Sequence, residues 1–182
     1  MKKLFIVLLS LCILVLPAMA QTADDPEVVV WEDLEKSFIE TGYGGSFWNI
    51  PSLGISIMIP NGLNQMELSQ DYIDNGFVEI FATDDLDIAV AVSLRDLECE
   101  DFPEVADLVL ENIENAQIVG FYKFNGLDAM MFLNPGNEEL TSVIGTTEPG
   151  YYIQVSIKPI TNEEINKLSG FIFGSIQPFV ED

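Results

Sequence analysis

The sequence predicts an α+β fold, in which an antiparallel β-sheet carries helices packed on both faces. Segments with alternating apolar residues occur in pairs that short turns join, as neighbouring antiparallel strands require. Single segments with helical spacing separate these pairs. The order along the chain is one helix, four strands, one helix, four strands and one helix, which is typical of the α+β class.

The first twenty residues have the layout of a secretory signal peptide. Two lysines precede an apolar run over residues 4–16, and Ala18 and Ala20 provide the small residues of a cleavage site. This run is shorter than the roughly 20 apolar residues that a membrane-spanning helix needs. We therefore expect cleavage after Ala20 and export to the periplasm or the extracellular space. An uncleaved anchor and lipidation at Cys12 are the alternatives.

The expected mature chain fits one domain and is strongly acidic. We predict an acidic, disordered lead-in over residues 21–30 and a single α+β domain over 31–182. All 30 acidic residues follow Ala20, and two of the seven basic residues precede it, so the mature chain would carry a net charge of −25. Such a surface repels nucleic acid and anionic lipid and attracts cations and basic partners. We expect no nucleic-acid binding and no stable membrane span after cleavage.

One helix and two hairpins are predicted before residue 100. The helix begins at Trp31 and ends at Gly42, with Leu34, Phe38 and Ile39 on the same face as Trp31. A second hairpin follows the turn signal Asn75-Gly76. The predicted strands cover residues 46–50, 53–59, 77–83 and 87–94.

A helix, four strands and a closing helix are predicted after residue 100. Asp101 is the expected N-cap of the first of these helices. Thr161 and Glu164 have the spacing of a capping box for the closing helix. Phe171 and Phe173 make that helix apolar beyond one face, so a partner surface or a homodimer is the alternative to packing on its own sheet. The predicted strands cover residues 118–124, 127–133, 140–147 and 151–158, with a turn at Asn125-Gly126.

Three segments together resemble the PsbP-like superfamily. Residues 53–62 resemble its opening strand and turn, residues 124–129 its central hairpin, and residues 174–176 the end of its last helix. The resemblance covers about 46–180 and implies an antiparallel sheet between helices. The group includes an extrinsic photosystem II subunit, a Ran-binding nuclear-import factor and many exported bacterial proteins. It has no common catalytic residues, and no histidine is present here to match a histidine-containing metal site.

The composition excludes several reaction mechanisms. Without histidine, the chain has no Ser-His-Asp or Cys-His nucleophile and lacks the usual zinc ligands. Arg95 is the only arginine, so no arginine cluster can bind phosphate. Cys99 is the only cysteine after Ala20, and the acidic residues beside it would raise its pKa. We therefore expect no catalytic residue and no enzyme activity.

Two groups of residues remain as candidate sites. Tyr43 and Trp48 lie beside a glycine-rich loop and are candidate anchors for a partner. Asp84, Asp85 and Asp87 crowd one hairpin tip, where oxygen ligands could attract calcium. Without the spacing of a known calcium loop, a solvated turn is the favoured interpretation of that tip.

The sequence thus predicts an exported, non-enzymatic binding or accessory protein. Its partner would be a protein, a peptide or a glycan. An acidic calcium-associated module is the second hypothesis, with weak calcium binding and no other cofactor. A hydrolase that uses a pair of carboxylates is the third hypothesis, because such pairs cleave glycosides when correctly spaced.

Overall fold

A computed structural model describes residues 23, 25–85 and 87–179, and it confirms the α+β class. The expected signal peptide over residues 1–20 lies outside the described residues. Four helices are present in the described part: α1 (Trp31–Glu40), α2 (Gln70–Asp74), α3 (Phe102–Asn112) and α4 (Glu163–Gly174).

The strands form two sheets, whereas the sequence predicted one. Eight strands make a large sheet in the order β1-β7-β8-β9-β10-β6-β5-β4, and three make a small sheet in the order β11-β3-β2. All paired strands are antiparallel except β1 and β7. The strands are β1 (Glu27–Val29), β2 (Gly45–Ile50), β3 (Ile55–Pro60), β4 (Asn64–Gln65), β5 (Phe77–Ala82), β6 (Ala89–Asp96), β7 (Gln117–Phe124), β8 (Leu127–Asn134), β9 (Glu139–Gly145), β10 (Tyr151–Lys158) and β11 (Gln177–Pro178).

Each face of the large sheet has its own apolar core. On one face, Val105 and Val109 of α3 pack with Met130 and Val143. The next residues along the same strands, such as Met131, point to the opposite face because side chains alternate along a strand. There they pack in a larger core with α1, α4 and the small sheet. Helices therefore cover both faces, as predicted, and the small sheet shares one of the two layers.

The predicted disordered lead-in is wrong for its last residues. Residues 27–29 form β1, which pairs in parallel with β7, and Val29 is buried in the larger core. Three consecutive valines at 28–30 explain the difference, since β-branched residues favour strands when they find a sheet edge to join. The acidic residues of the predicted lead-in had suggested that disorder extends through residues 27–29 as well.

Helix α1 follows its prediction except on one position. Trp31, Leu34 and Phe38 are buried, and Gly42 has the positive φ of 81° that favours glycine after a helix. Ile39, which the spacing assigned to the same face, is instead exposed. Its position next to Phe38 rotates it about 100° away from the buried face.

Helix α4 begins one residue later than the predicted capping box implied. The N-cap is Asn162, whose Oδ1 accepts a hydrogen bond of 3.0 Å from the Ile165 N–H. The Thr161–Glu164 capping box is therefore wrong, because asparagine is an equally good N-cap and leaves Glu164 free to point elsewhere. The residues at its far end pack against α1, where a Cβ atom on Gly174 would collide with Leu34 Cδ1.

Tyr122 makes the fold sensitive to alkaline pH. Burial, and then the charge of Glu27, raise the pKa of the Tyr122 hydroxyl from 10.0 to about 12. The folded state therefore holds this proton more tightly than the unfolded chain does. The contribution to stability is complete below pH 10 and is lost as the pH rises through about 12.

We expect Tyr122→Phe to remove part of this alkaline loss of stability. The variant has no hydroxyl to ionise, so it should retain on the order of 2 kcal/mol that the parent loses across this range. Urea unfolding of both proteins below pH 10 and near pH 12 measures the difference. An identical loss in the two proteins would show that Tyr122 does not titrate with unfolding.

Candidate functional site

An open cleft of about 480 Å³ lies where three segments meet. These are the loop before β2, the start of β6, and the segment that leads into α4. Its floor is made of half-buried apolar side chains, and its rim is polar and exposed. The lining residues are Tyr43, Asp87, Ile88, Pro159, Thr161, Asn162, Glu164, Ile165 and Leu168.

Local structure explains how Tyr43 reaches the cleft. Because Gly42 ends α1 with a left-handed turn, the next residue returns over the end of that helix. The Tyr43 ring lies 5.9 Å from the ring of Phe38 and 6.1 Å from that of Phe171, measured between centroids. Two buried aromatic rings thus hold one side of Tyr43 and leave its other side to line the cleft.

The charge of the cleft is negative. The carboxylates of Asp87 and Glu164 are exposed at its rim, and no cationic side chain lines it among the described residues. Burial, and then the charge of Glu164 and a hydrogen bond to it, raise the pKa of the Tyr43 hydroxyl. Tyr43 therefore stays protonated at neutral pH and donates toward Glu164.

The structure separates the four residues that were predicted to bind a partner. Tyr43 lines the cleft, so its binding role stays a prediction. Trp48 lies on β2, 38% exposed, with its ring 5.4 Å from that of Phe81. Phe171 and Phe173 are buried at 3% and 0% exposure, so their prediction as a partner surface is wrong. Both lie in the larger core, because α4 is covered on more than one side.

The carboxylates of the acidic hairpin tip lie in different surroundings. Asp84 accepts a hydrogen bond of 3.0 Å from Asn64, and a hydrogen bond from the Thr83 side chain lowers the pKa of Asp85. Asp87 lines the cleft instead. Among the described residues, no three acidic or cysteine side chains are placed to share a metal ion. These contacts fit the solvated turn that the sequence favoured over calcium binding by Asp84, Asp85 and Asp87.

Cys99 has the environment of a structural thiol. It is buried, and its Sγ lies 3.3 Å from the carbonyl oxygen of Leu97. Burial, and then the charges of Glu104 and Asp101, raise the pKa of the Cys99 thiol. Since the thiolate is the nucleophile, a raised pKa makes this cysteine a poor one at neutral pH. This agrees with the sequence prediction for Cys99.

Sequence reasoning missed most of the cleft. Asp87 had been assigned to the hairpin tip and Glu164 to a capping box, while Leu168 had been assigned to the core. Asp87 is far in the sequence from the two helix residues, and no local pattern shows that they meet. In the described part of the chain, no helix combines the length and the apolar composition of a membrane-spanning segment.

Comparisons with known proteins find similarity to solved structures alone. No family model and no curated protein matches the sequence. Solved structures with a similar fold include cyanobacterial PsbP from Synechocystis sp. PCC 6803, at 12% identity and a TM-score of 0.49, over 74% of this chain and 92% of that one. The Ran-binding protein Mog1p of Saccharomyces cerevisiae matches at 15% identity and a TM-score of 0.43, over 71% and 84% of the two chains.

A third similar structure is a Bacteroides thetaiotaomicron VPI-5482 protein, at 15% identity and a TM-score of 0.45. The match covers 75% of this chain and 49% of that one. A cyanobacterial PsbP is among these structures, as the predicted resemblance to the PsbP-like group led us to expect. At these identities, no functional residue is transferred, and function is argued from the surface of this chain.

Proposed function

We propose that this protein is an exported, non-enzymatic binding protein whose cleft receives a basic side chain of a protein or peptide partner. The observation that carries the proposal is the cleft itself. It has an apolar floor, two carboxylates at its rim and no lining cation among the described residues.

The shape and charge of the cleft match lysine and arginine better than other side chains. Both have an apolar stem that gains from contact with apolar surface and a charged end that prefers water and carboxylates. Ile88, Ile165 and Leu168 offer the apolar contact. Asp87 and Glu164 supply the acceptors for the charged end.

The charge of the whole chain supports the same class of partner. Its formal net charge is −23, which attracts a basic partner at long range and raises the rate of encounter. Attraction of this kind does not position a partner, whereas a cleft with two acceptors does. The two effects together favour a basic protein or peptide over a glycan, which lacks positive charge.

The chemistry of the cleft supports binding without catalysis. The chain has no histidine, and the buried Cys99 has a raised pKa. Asp87 and Glu164 are exposed at the rim. A carboxylic acid that acts as a general acid near neutral pH needs an apolar, buried environment, so the hydrolase hypothesis gains nothing from this pair.

A paired substitution at the rim is expected to weaken binding of a basic probe. The probe is a lysine-containing decapeptide, and titration calorimetry at about 0.15 M salt, where distant charges are screened, measures its affinity. Asp87→Asn with Glu164→Gln should lower the affinity about tenfold, since each change removes a charge-assisted hydrogen bond. Amides of the same shape keep the packing of the cleft.

The matched control is Asp107→Asn with Glu111→Gln on α3. These two exposed residues lie on the opposite face of the large sheet, and the change in net charge is the same. The control should bind the probe as the parent does, within about twofold. An equal loss in both double variants would show that only the overall charge attracts the peptide.

Export is checked independently of the cleft. We expect the protein in the exported fraction of its source cell to begin at Gln21, which N-terminal sequencing determines. An intact chain that begins at Met1 and remains in the cytosol would contradict this part of the proposal and leave the cleft untouched.

A further inference from the structure

Strand β2 is an open edge of the small sheet. It pairs with β3 and, within the described residues, with no other strand. All of its residues except Ile50 are exposed. An edge strand of this kind can accept another strand through its backbone.

The register of the β2–β3 pair shows which backbone groups are open. The Gly44 carbonyl accepts a hydrogen bond of 2.8 Å from the Asn61 N–H, which fixes the alternation along the ladder. In an antiparallel ladder, every second residue directs its N–H and C=O outward. These residues are Gly45, Phe47 and Asn49, and no described residue hydrogen-bonds to their outward groups.

The charge pattern around β2 sets it apart from the rest of the chain. From Thr41 to Met66 there is no acidic or basic residue, although the whole chain carries 30 acidic ones. Edge strands are commonly protected by charged residues, proline or a bulge. Strand β2 contains none of these, and its pairing with β3 is regular from Gly45 to Ile50.

Aromatic side chains flank the open edge on both faces. Phe47 is 40% exposed and packs edge-on against Trp31, and Trp48 is 38% exposed and packs against Phe81. Because successive side chains point to opposite faces, these rings lie on the two sides of the small sheet. An added strand would therefore find an aromatic surface above and below its backbone.

We propose that β2 binds an extended peptide segment of a partner by strand addition. The segment has an uncharged core of alternating β-branched residues and basic residues at its ends. The uncharged core matches the neutral strand, and the basic ends match the net negative charge of the chain as a whole. A second copy of this chain fits less well, because it carries the same net charge of −23 and is repelled. This inference is separate from the cleft proposal.

The test uses the purified full chain with Asp87→Asn and Glu164→Gln, so that the cleft offers no carboxylate to the lysines of the synthetic probe. The probe is a peptide of alternating valine and threonine with two lysines at each end. A second peptide of the same sequence carries N-methyl groups on alternate backbone nitrogens, so it keeps the charge and loses the donors. We expect the first peptide to bind and the second to bind at least about tenfold more weakly. Tryptophan fluorescence, to which Trp31 and Trp48 both contribute, and titration calorimetry measure this.

A backbone substitution tests the site. Asn49→Pro removes an outward N–H without removing a ladder hydrogen bond, as proline is tolerated at such edge positions. Asn49→Ala is its matched control, because it removes the same side chain and keeps the N–H. We expect about a tenfold loss of affinity for the proline variant relative to the alanine variant. If the proline variant does not fold, Ser46→Lys on β2 replaces it as the test variant. Ser52→Lys, outside β2, then replaces Asn49→Ala as the control.

Three results would overturn the proposal. Equal binding of the N-methylated peptide would mean that charge alone attracts the probe. Equal affinity of the Asn49→Pro and Asn49→Ala variants would place the peptide elsewhere. Binding to the parent chain but not to the chain with Asp87→Asn and Glu164→Gln would place it in the cleft. A dimer that sedimentation detects and Asn49→Pro disperses would assign the edge to a second copy.

Discussion

Replacing Asn125 with glycine is expected to lower the free energy of unfolding by about 3 kcal/mol, because one side chain holds three segments together. Its Nδ2 donates to the carbonyl oxygens of Gly174 and Ile176 at 3.0 and 2.7 Å. Its Oδ1 accepts from the Trp31 N–H at 2.7 Å. The substitution leaves two carbonyls and one N–H without these partners, at the start of α1 and the end of α4.

Glycine is the informative substitution because it leaves the backbone unstrained. Asn125 has a φ of 47°, in the left-handed region that asparagine and glycine tolerate better than alanine. Asn115→Gly is the matched control, since Asn115 also has a positive φ of 60° and is exposed. Urea unfolding of both variants measures the side-chain contribution. A similar, small loss in both would mean that the three hydrogen bonds contribute little.

The turn at Asn125 shows how far local sequence signals reach. Asn125-Gly126 predicted a hairpin turn, and the turn connects β7 and β8 as expected. The same signal says nothing about the partners of the side chain, which lie up to 94 positions away at Trp31 and 51 positions away at Ile176. A dipeptide fixes a backbone conformation, whereas its tertiary contacts depend on the whole fold.

Elements with strong periodicity or clear end signals were predictable. Asp101 caps α3 by accepting a hydrogen bond of 2.9 Å from the Glu104 N–H, as its position before Pro103 implied. The division into two sheets was not predictable. Strand β3 is buried along its whole length, and its pattern does not distinguish a central strand of one sheet from the middle of a second, smaller sheet.

The cleft was predictable only through Tyr43. An aromatic residue between glycines indicates a surface loop that carries a large side chain. This prediction needs only the residues next to Tyr43 in the sequence. Asp87 and Glu164 reach the same cleft from the start of β6 and the first turn of α4. In a chain with 30 acidic residues, no composition argument distinguishes these two from the other 28.

Phe173→Ala is expected to lower the free energy of unfolding by about 3–5 kcal/mol, because it removes a large buried side chain and leaves a cavity. Phe173 is 0% exposed and lies in the larger core with Phe171 and Ile172. If Phe173 instead formed a partner surface, the alternative that the sequence left open, the change would leave stability almost unaltered. Urea unfolding therefore distinguishes the two roles directly.

Leu110→Ala on α3 is the matched control for this substitution. Leu110 is a large apolar residue on a helix, and it is 51% exposed. Its removal should change stability by less than about 1 kcal/mol, since little buried area is lost. Equal effects of the two variants would contradict the packing of α4. A large loss for Phe173→Ala alone leaves the cleft and the β2 edge as the surfaces at which binding is tested, because α4 then contributes its aromatic residues to the core.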